Sequence, residues 1–490
     1  MYLGIDLGTS EVKALLLDDR HGIVAQAGSG LSLSRPQPLW SEQGPADWWH
    51  ATDQALARLR AAAPKALAAV RAIGLSGQMH GAVLLDAGDT VLRPAILWND
   101  GRSANACIAL ERAIPRLSDI TGNVAMPGFT APKLWWVREH EPRVFDRIAC
   151  VLLPKDWLRL QLSGERITDS SDASGTLWLD VAARAWSSEV LEACGLAVSQ
   201  MPALVEGSEV AGRLRPEIAR RWGMKAGIPI AGGGGDNAAS AIGIGAIDAG
   251  QGFVSLGTSG VLFVAGERFL PRPESGMHAF CHALPARWHQ MSVMLSAASC
   301  VGWAGKLLGR PDVAVLLAEA GALDEAQREC APIFLPYLSG ERTPHRNPHA
   351  QGVLFGLTHD HDGAALAYAV CEGVGFGLLD GLHALRLPAD IPLGSLSLVG
   401  GGARSAWWAQ LLASTLDVPL TLHQGAEAGA ALGAARLGWL ADGGAPDQVC
   451  TLPAVVRRFE PEPAEHERLM RRYDRFRRLY PALLSRFTDA

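Results

Sequence analysis

The pentapeptide Asp6-Leu7-Gly8-Thr9-Ser10 opens the chain, and Ser255-Leu256-Gly257-Thr258-Ser259-Gly260 repeats its core just past the midpoint. A glycine-rich turn between two apolar strands points consecutive backbone N–H groups and hydroxyls into one small concavity, which suits a phosphate. One such tripeptide is an ordinary hairpin turn. Two of them, each near the start of a half of similar length, predict two like domains facing each other across a nucleotide. The 490 residues are too many for one core. The glycine-rich stretch 243–250 is the expected hinge, which divides the chain into 1–246 and 247–490.

Each half reads as strand, turn, strand, followed by α/β alternation. Residues 2–6 and Val12 to Leu17 are expected strands around Gly8-Thr9-Ser10, with a third from Gly22. Pro45-Ala-Asp-Trp-Trp starts a helix, because proline fits a first turn and acids favour it. Val70 to Leu75 returns as a strand ending in Ser76-Gly77-Gln78-Met79-His80. In the second half, Gly252 to Leu256 and Val261 to Val264 flank the repeated turn. Ala364 to Leu385 is a long helix whose four glycines predict a close neighbour. Leu396 to Val399 is a strand, Gly400-Gly401-Gly402 a loop, and Arg404 to Leu416 and Gly429 to Leu437 are helices. The stretches 120–180 and 265–350 read as irregular insertions on the substrate side. The basic tail from Glu465 reads as a solvated face over a packed stripe.

Several residues carry candidate chemistry. Asp6 ends the first strand where phosphates would lie, and it suits a hydrated Mg²⁺, which prefers oxygen ligands and keeps several waters; its bland alternative is a turn cap. In Ala231-Gly-Gly-Gly-Gly-Asp236-Asn237 the glycines let the backbone approach a ligand closely. The acid that follows can take the proton of an attacking hydroxyl, or cap the next helix. Gly400, Gly401, Gly402 and Ala403 form a strand–glycine–helix junction that permits contact with a base and ribose. Met79 and His80 end a strand, and Trp98-Asn99-Asp100-Gly101-Arg102 collects groups that bind sugar hydroxyls, with a surface ion pair as the alternative for Asp100 and Arg102.

Other signals fail. Gly373-x-Gly375-x-Gly377 lacks dinucleotide spacing, and Gly305-Lys306 lacks the following Ser or Thr. His278-x-x-Cys281-His282 has no second cluster to complete a tetrahedral zinc site. The net charge of −6 supplies no basic face for nucleic acid. The eight cysteines include no Cys-x-x-Cys pair and read as reduced thiols. No signal peptide is expected, and the best span candidate, Ile228 to Leu256, holds Asp236 and Asp248, which a bilayer would reject. A cytoplasmic location with no membrane partner is the expectation.

Longer strings carry a resemblance: Pro38-Leu-Trp-Ser-Glu-Gln43, Gly77-Gln-Met-His-Gly81, Ile96-Leu-Trp-Asn-Asp-Gly-Arg102, Met126-Pro-Gly-Phe-Thr-Ala-Pro-Lys133, Leu153-Pro-Lys-Asp156, Gly234-Gly-Asp-Asn237, Met291-Ser-Val-Met-Leu-Ser296 and Phe334 to His345. Nearly end to end, the chain resembles the FGGY carbohydrate kinases, within the larger group of sugar kinases, heat-shock ATPases and actin. The resemblance implies two ribonuclease-H-like domains, each a mixed five-stranded sheet flanked by helices, with ATP and Mg²⁺ in the cleft between them. It implies phosphate loops at Gly8-Thr9-Ser10 and Gly257-Thr258-Ser259, an adenosine loop at Gly400 to Ala403, and Asp236 as catalytic base. Met79 and His80 fall where the family holds D-xylulose; glycerol kinases carry Arg and Glu there. Asn237, Trp98, Asp100 and Arg102 are implied as further sugar contacts, and a homodimer is common among relatives. The implied reaction moves the γ-phosphoryl of ATP to the 5-hydroxyl of D-xylulose.

Glu11 departs from the family pattern, in which Gly or Ser is common. Were positive φ needed there, glutamate would cost about 1 kcal/mol. Its charge would repel phosphate, with Lys13, two residues on, as the offset. Two alternatives stay open: an FGGY kinase for ribulose, gluconate, fuculose or another polyol, and an ATP-driven chaperone or filament former. The second lacks the separate β-rich domain it would need.

Overall fold

The computed structural model describes residues 1–388, 391–425 and 428–487. Two seven-stranded mixed sheets share one plan. In the first, Tyr2–Leu7 pairs antiparallel with Glu11–Leu17, which pairs with Ile23–Gly30; on its other side Tyr2–Leu7 runs parallel to Ala72–Gly77, then come Pro229–Ala231 and, antiparallel, Val210–Arg213. In the second, Gly252–Leu256 pairs antiparallel with Gly260–Gly266, which pairs with Trp288–Met294. On its other side it runs parallel to Leu396–Val399, then Leu420–His423 and, antiparallel, Val455–Phe459. The duplication seen in two turns therefore extends through six strands. Each sheet is wider than the five strands expected. Gly234–Gly235 adds to Ala72–Gly77 in the first sheet, and His278–Cys281 extends the second past Trp288–Met294.

The helix after the fifth equivalent strand crosses between the halves. Asp236–Ile244 follows Pro229–Ala231, yet its Ala241 and Ile244 pack on Phe253 and Phe263 of the second sheet. Gly429–Ala441 follows Leu420–His423, yet Ala431, Leu432 and Ala435 pack on Tyr2, Leu15 and Ala72 of the first. Small residues make this exchange possible. A Cβ on Gly433 would lie 1.6 Å from the Ala239 carbonyl oxygen, and one on Gly74 would lie 1.7 Å from that of Ala434. Backbone rests on backbone at the crossing, so each half holds the other's helix.

Local sequence explains the rest of the scaffold. Helix Pro45–Ala62 starts on proline and buries Trp48, Ala51, Thr52, Ala55, Leu56 and Leu59, one stripe at helical spacing. Helix Gly363–Ala384 is long and apolar enough to cross a membrane, but it is the buried core helix of the second half. The close neighbour expected from its glycines is the Phe334 carbonyl oxygen at Gly373, and side chains at Gly375, Gly377 and Gly381.

Two expectations need correction. The stretches 120–180 and 265–350 are not irregular: they hold helices Thr130–His140, Pro154–Ser163, Ala298–Leu307 and Val313–Gly321 and strand Trp288–Met294. Helical spacing was masked because buried charges such as Lys155, Asp156 and Arg159 share the inner positions with Trp157, Leu158 and Leu160. The tail helix Pro463–Leu483 has the packed stripe expected of it, with Leu469, Tyr473 and Phe476 buried, but not all of its basic residues lie on the solvated face. Arg468 and Arg472 are buried, and Arg472 grips Glu372 of the core helix through two bonds, 2.6 and 2.7 Å. A planar guanidinium matched to a carboxylate can be buried where a bare cation cannot.

Candidate active site

The first phosphate turn and the 77–80 loop form one bonded unit. Thr9 Oγ1 donates to Gln78 Oε1 at 2.9 Å and accepts from Trp98 Nε1–H at 2.9 Å, and the Thr9 carbonyl accepts from Gln43 Nε2 at 2.7 Å. Strands Tyr2–Leu7 and Ala72–Gly77 run parallel and end together, which delivers the turn and the loop to the same edge. The Trp98 N–H is spent on Thr9, and what its half-exposed ring leaves open is a face, not a donor.

His80 has φ of 69°, an unusual backbone for a side-chain residue. Its carbonyl accepts from Lys133 Nζ at 2.8 Å and Thr130 Oγ1 at 3.1 Å, which hold the turn. Its Nδ1 lies 2.7 Å from the Gly175 carbonyl oxygen, so Nδ1 carries the hydrogen and Nε2 is left to accept. Burial, with the nearby Lys133 and Arg342 cations, pushes its pKa down to about 3. At neutral pH it is an uncharged acceptor for a hydroxyl.

Asp236 opens its helix, and Gly235 occupies the capping position without a side-chain bond. The capping role considered for Asp236 is therefore absent. Asp236 Oδ1 accepts from the Asn237 N–H at 2.7 Å and from Asn237 Nδ2 at 2.9 Å, which leaves Oδ2 for a substrate. Asn237 thus spends an amide hydrogen on orienting its neighbour. Burial first, and the Asp6 charge second, raise the Asp236 pKa to about 6. The loop before it lies against Met79, since a Cβ on Gly235 would be 2.7 Å from Met79 Sδ.

Asp6 is likewise raised to about 6, mainly by burial, with Ser76 and Lys13 opposing. Its Oδ1 is buried with no hydrogen-bond partner. An orphaned carboxylate oxygen beside a phosphate turn fits Mg²⁺, which needs one or two carboxylates plus phosphate oxygens rather than a full protein cage. Among the described residues no three His, Cys, Asp or Glu side chains converge on a metal site; His278 bonds Asn123 and Arg342, and His282 Nε2 lies 3.3 Å from the Ala246 carbonyl oxygen. Lys13 stands opposite Asp6 on the paired strand and is exposed. Glu11 begins strand Glu11–Leu17 in ordinary extended backbone and lies over Gly28. The conformational penalty feared for it does not arise.

On the second half, the Gly257 and Thr258 carbonyls accept from the Ala298 and Ala297 N–H groups at 2.9 Å each, which pins the repeated turn to helix Ala298–Leu307. Thr258 is exposed, with Ser259 beside it. Gly400 has φ of 92° and rests on Leu256, where a Cβ would meet the backbone oxygen at 2.7 Å. This sets Gly401, Gly402 and the buried Ala403 next to the turn. Gly401 and Gly402, though not Ala403, border a cavity of about 580 Å³ whose other walls include Val301, Leu317, Arg404 and Trp407. Flat apolar walls beside a phosphate turn suit an adenine ring.

Asp100 and Arg102 do not form the surface ion pair considered for them. Both side chains are buried, Asp100 accepts from the Ser41 N–H at 2.6 Å, and Arg102 pairs with Asp100 and Glu42 at 2.7 Å each while stacking on Trp40. With these groups spent on each other, they shape the 98–102 loop from behind. Four contributors went unassigned in the sequence, although their motifs were visible. Lys133 holds His80, and His278 and Phe280 of the second half pack on Phe129 and His80, with Arg342 bonded to His278 Nε2 at 3.1 Å. Their signal was only the presence of polar residues inside apolar strings.

Comparison with known proteins follows the same lines. Residues 1–243 match the N-terminal domain model of the FGGY family of carbohydrate kinases, and residues 252–441 match its C-terminal domain model. The xylulose kinase of Escherichia coli K12 is 53% identical over 487 residues, 99% of each chain. That of Klebsiella pneumoniae is 55% identical over 442 residues, 90% of each chain. A crystal structure of a xyloylose kinase from Brucella ovis is 52% identical and superposes with a TM-score of 0.95, covering 99% of both chains.

Proposed function

The chain belongs to the FGGY family of carbohydrate kinases, and on that premise we infer that it transfers the γ-phosphoryl group of ATP to the 5-hydroxyl of D-xylulose, giving D-xylulose 5-phosphate and ADP. The xylulose kinases at 53% and 55% identity support the substrate. The observation that carries the chemistry is Asp236, a half-buried carboxylate with one oxygen bonded to Asn237 and the other free, directly after Gly235, which lies against Met79.

The 5-hydroxyl gives its proton to Asp236 Oδ2 as its oxygen attacks the γ-phosphorus and ADP leaves. With a pKa of about 6 the carboxylate is ionised at neutral pH yet basic enough to accept. His80 Nε2 accepts from a sugar hydroxyl, and Met79 and the Trp98 ring flank the carbon chain. A Glu at position 80, as in glycerol kinases, would carry a charge where this site holds a neutral acceptor. The turn at Gly257-Thr258-Ser259 grips the terminal phosphate, and Gly8-Thr9-Ser10 with Lys13 faces it from the other half. Asp6 would hold Mg²⁺ through its water shell, and that ion supplies neutralisation of phosphate charge. Closure of the halves excludes water, which would otherwise compete with the sugar. Seven of the eight unpaired cysteines are buried, which fits a reducing, ATP-containing compartment, the cytoplasm.

The test is ADP release with a panel of D-xylulose, D-ribulose, L-fuculose, gluconate, xylitol and glycerol, on wild type and Asp236→Asn. The highest kcat/KM is expected for D-xylulose, and turnover should fall by about 10²–10⁴-fold in the variant. Preference for another sugar refutes the substrate. Near-normal turnover of Asp236→Asn refutes the base.

A further inference from the structure

The segment from Leu153 to Gly175 holds a cluster that the reaction above does not use. Lys155 Nζ lies 2.5 Å from Asp156 Oδ1, 2.7 Å from Asp169 Oδ1 and 3.2 Å from Asp172 Oδ2, and Arg159 pairs with Asp156 at 2.8 Å. All five side chains are fully removed from water. Burial drives the Asp172 pKa well up, with Lys155 opposing, and two basic side chains face three carboxyl groups. Well-packed apolar residues would serve stability as well as such a cluster, so its retention asks for a geometric reason.

The cluster terminates on the two halves of the reaction centre. Asp169 Oδ2 accepts from the Ser171 N–H at 2.8 Å and from the Ser171 hydroxyl. That orients Ser171 Oγ to accept the Gly235 N–H at 3.2 Å, and Gly235 precedes Asp236. Arg159 donates to the Gly232 and Ala231 carbonyls of the same loop. At the far end of the five-residue helix Ser170–Ser174, the Gly175 carbonyl takes His80 Nδ1. Ser174 Oγ also accepts from the Cys281 N–H of the second sheet at 3.0 Å. One short helix thus touches the loop of the base, the residue that reads the sugar, and the opposite half.

We propose that helix Ser170–Ser174, anchored by Lys155, fixes the spacing between Asp236 and His80, with Ser171 as the positioning residue for the base. The proposal rests on Asp236 being that base. The sheet pairing of Gly235 with Gly77 ends one residue before Asp236, and the Gly235 N–H donates to Ser171 Oγ, so this bond adds a fixed point on the peptide that leads into the Asp236 carboxylate.

Steady-state kinetics with varied D-xylulose and ATP test this on Ser171→Ala, Ser171→Thr, Asp236→Asn and the double variant Ser171→Ala/Asp236→Asn, each checked for a cooperative melt. Ser171→Ala should lower kcat by about 10- to 100-fold, the scale of a small misplacement, and leave the KM for ATP within about twofold. Ser171→Thr keeps the hydroxyl and should restore kcat to within about threefold of wild type. In the Asp236→Asn background Ser171→Ala should cost nothing further, since its effect runs through the missing base. If Ser171→Ala does not fold, Ser171→Cys, with a weak acceptor in place of the hydroxyl, takes its place in every comparison. Unchanged kcat in Ser171→Ala beside a strongly impaired Asp236→Asn overturns the positioning role alone, as does an equal loss in both backgrounds. Near-normal turnover of Asp236→Asn overturns the base, and this proposal with it.

Discussion

Gly433→Ala should destabilise the protein although alanine is the better helix former. The gain from propensity is about 1 kcal/mol. Against it, the new methyl would start 1.6 Å from the Ala239 carbonyl oxygen, with the Ala239 carbonyl carbon at 2.5 Å and the Gly243 nitrogen at 3.0 Å. Real Cβ contacts stay beyond 3.0 Å, so the helices must part by about 1.4 Å, and every clashing atom is backbone that cannot rotate aside. Overpacking of this kind costs about 3 kcal/mol or more, which leaves a net loss of about 2 kcal/mol. In a half of roughly 240 residues that corresponds to a fall in melting temperature of about 4–8 °C. Gly302→Ala is the control: it sits in helix Ala298–Leu307 with open space around its Cβ position, and should raise stability by about 0.5–1 kcal/mol. Thermal and urea melts of the nucleotide-free protein compare the two. Gly433→Ala melting at or above wild type would refute the backbone-on-backbone crossing.

The acid side of kcat/KM should fall as pH drops through about 6, because Asp236 must be ionised and its pKa is held near 6; Asp6→Asn removes the like charge, so the limb should move to lower pH, and a limb that stays or rises contradicts the pairing of these carboxylates. The same raised pKa means the native state resists ionisation of Asp236, so stability is lost as pH rises from about 4 through 6; Asp236→Asn should melt higher than wild type at pH 7.5 and not at pH 4. Met79→Arg with His80→Glu should cut kcat/KM for D-xylulose by about 10²-fold or more, since a neutral acceptor becomes a charge; unchanged kinetics would remove these positions from sugar recognition. Excess chelator should abolish sugar-dependent ADP release and added Mg²⁺ restore it; activity that survives chelation would contradict the role assigned to Asp6.

The parts of this molecule that were legible in its sequence are those where local chemistry has one reading. The Gly-Thr-Ser turns, the strands around them and Asp236 after its glycines required no tertiary knowledge. The exchange of helices Asp236–Ile244 and Gly429–Ala441 between sheets could not be read, because sequence order does not say which surface a small-residue helix covers. Charges were the other obstacle. Lys133, Lys155, Arg159, Arg468 and Arg472 are buried, whereas a charged residue in an unpaired sequence context reads as surface. Asp100 and Arg102 stand out in the sequence as polar density beside Trp98, but that they bond each other, Glu42 and the Ser41 N–H in a buried cluster was not legible there. Glu11 suggested strain only because its backbone was unknown; as an extended strand residue it has none.

A crystal structure with D-xylulose and a non-hydrolysable ATP analogue bears on the base most directly. With the halves closed, an Asp236 carboxylate oxygen is expected within about 2.6–3.2 Å of the sugar's terminal hydroxyl oxygen, and that oxygen in line with the γ-phosphorus. A closed complex in which the carboxylate stands clear of that hydroxyl, or in which another side chain takes its place, would contradict the account.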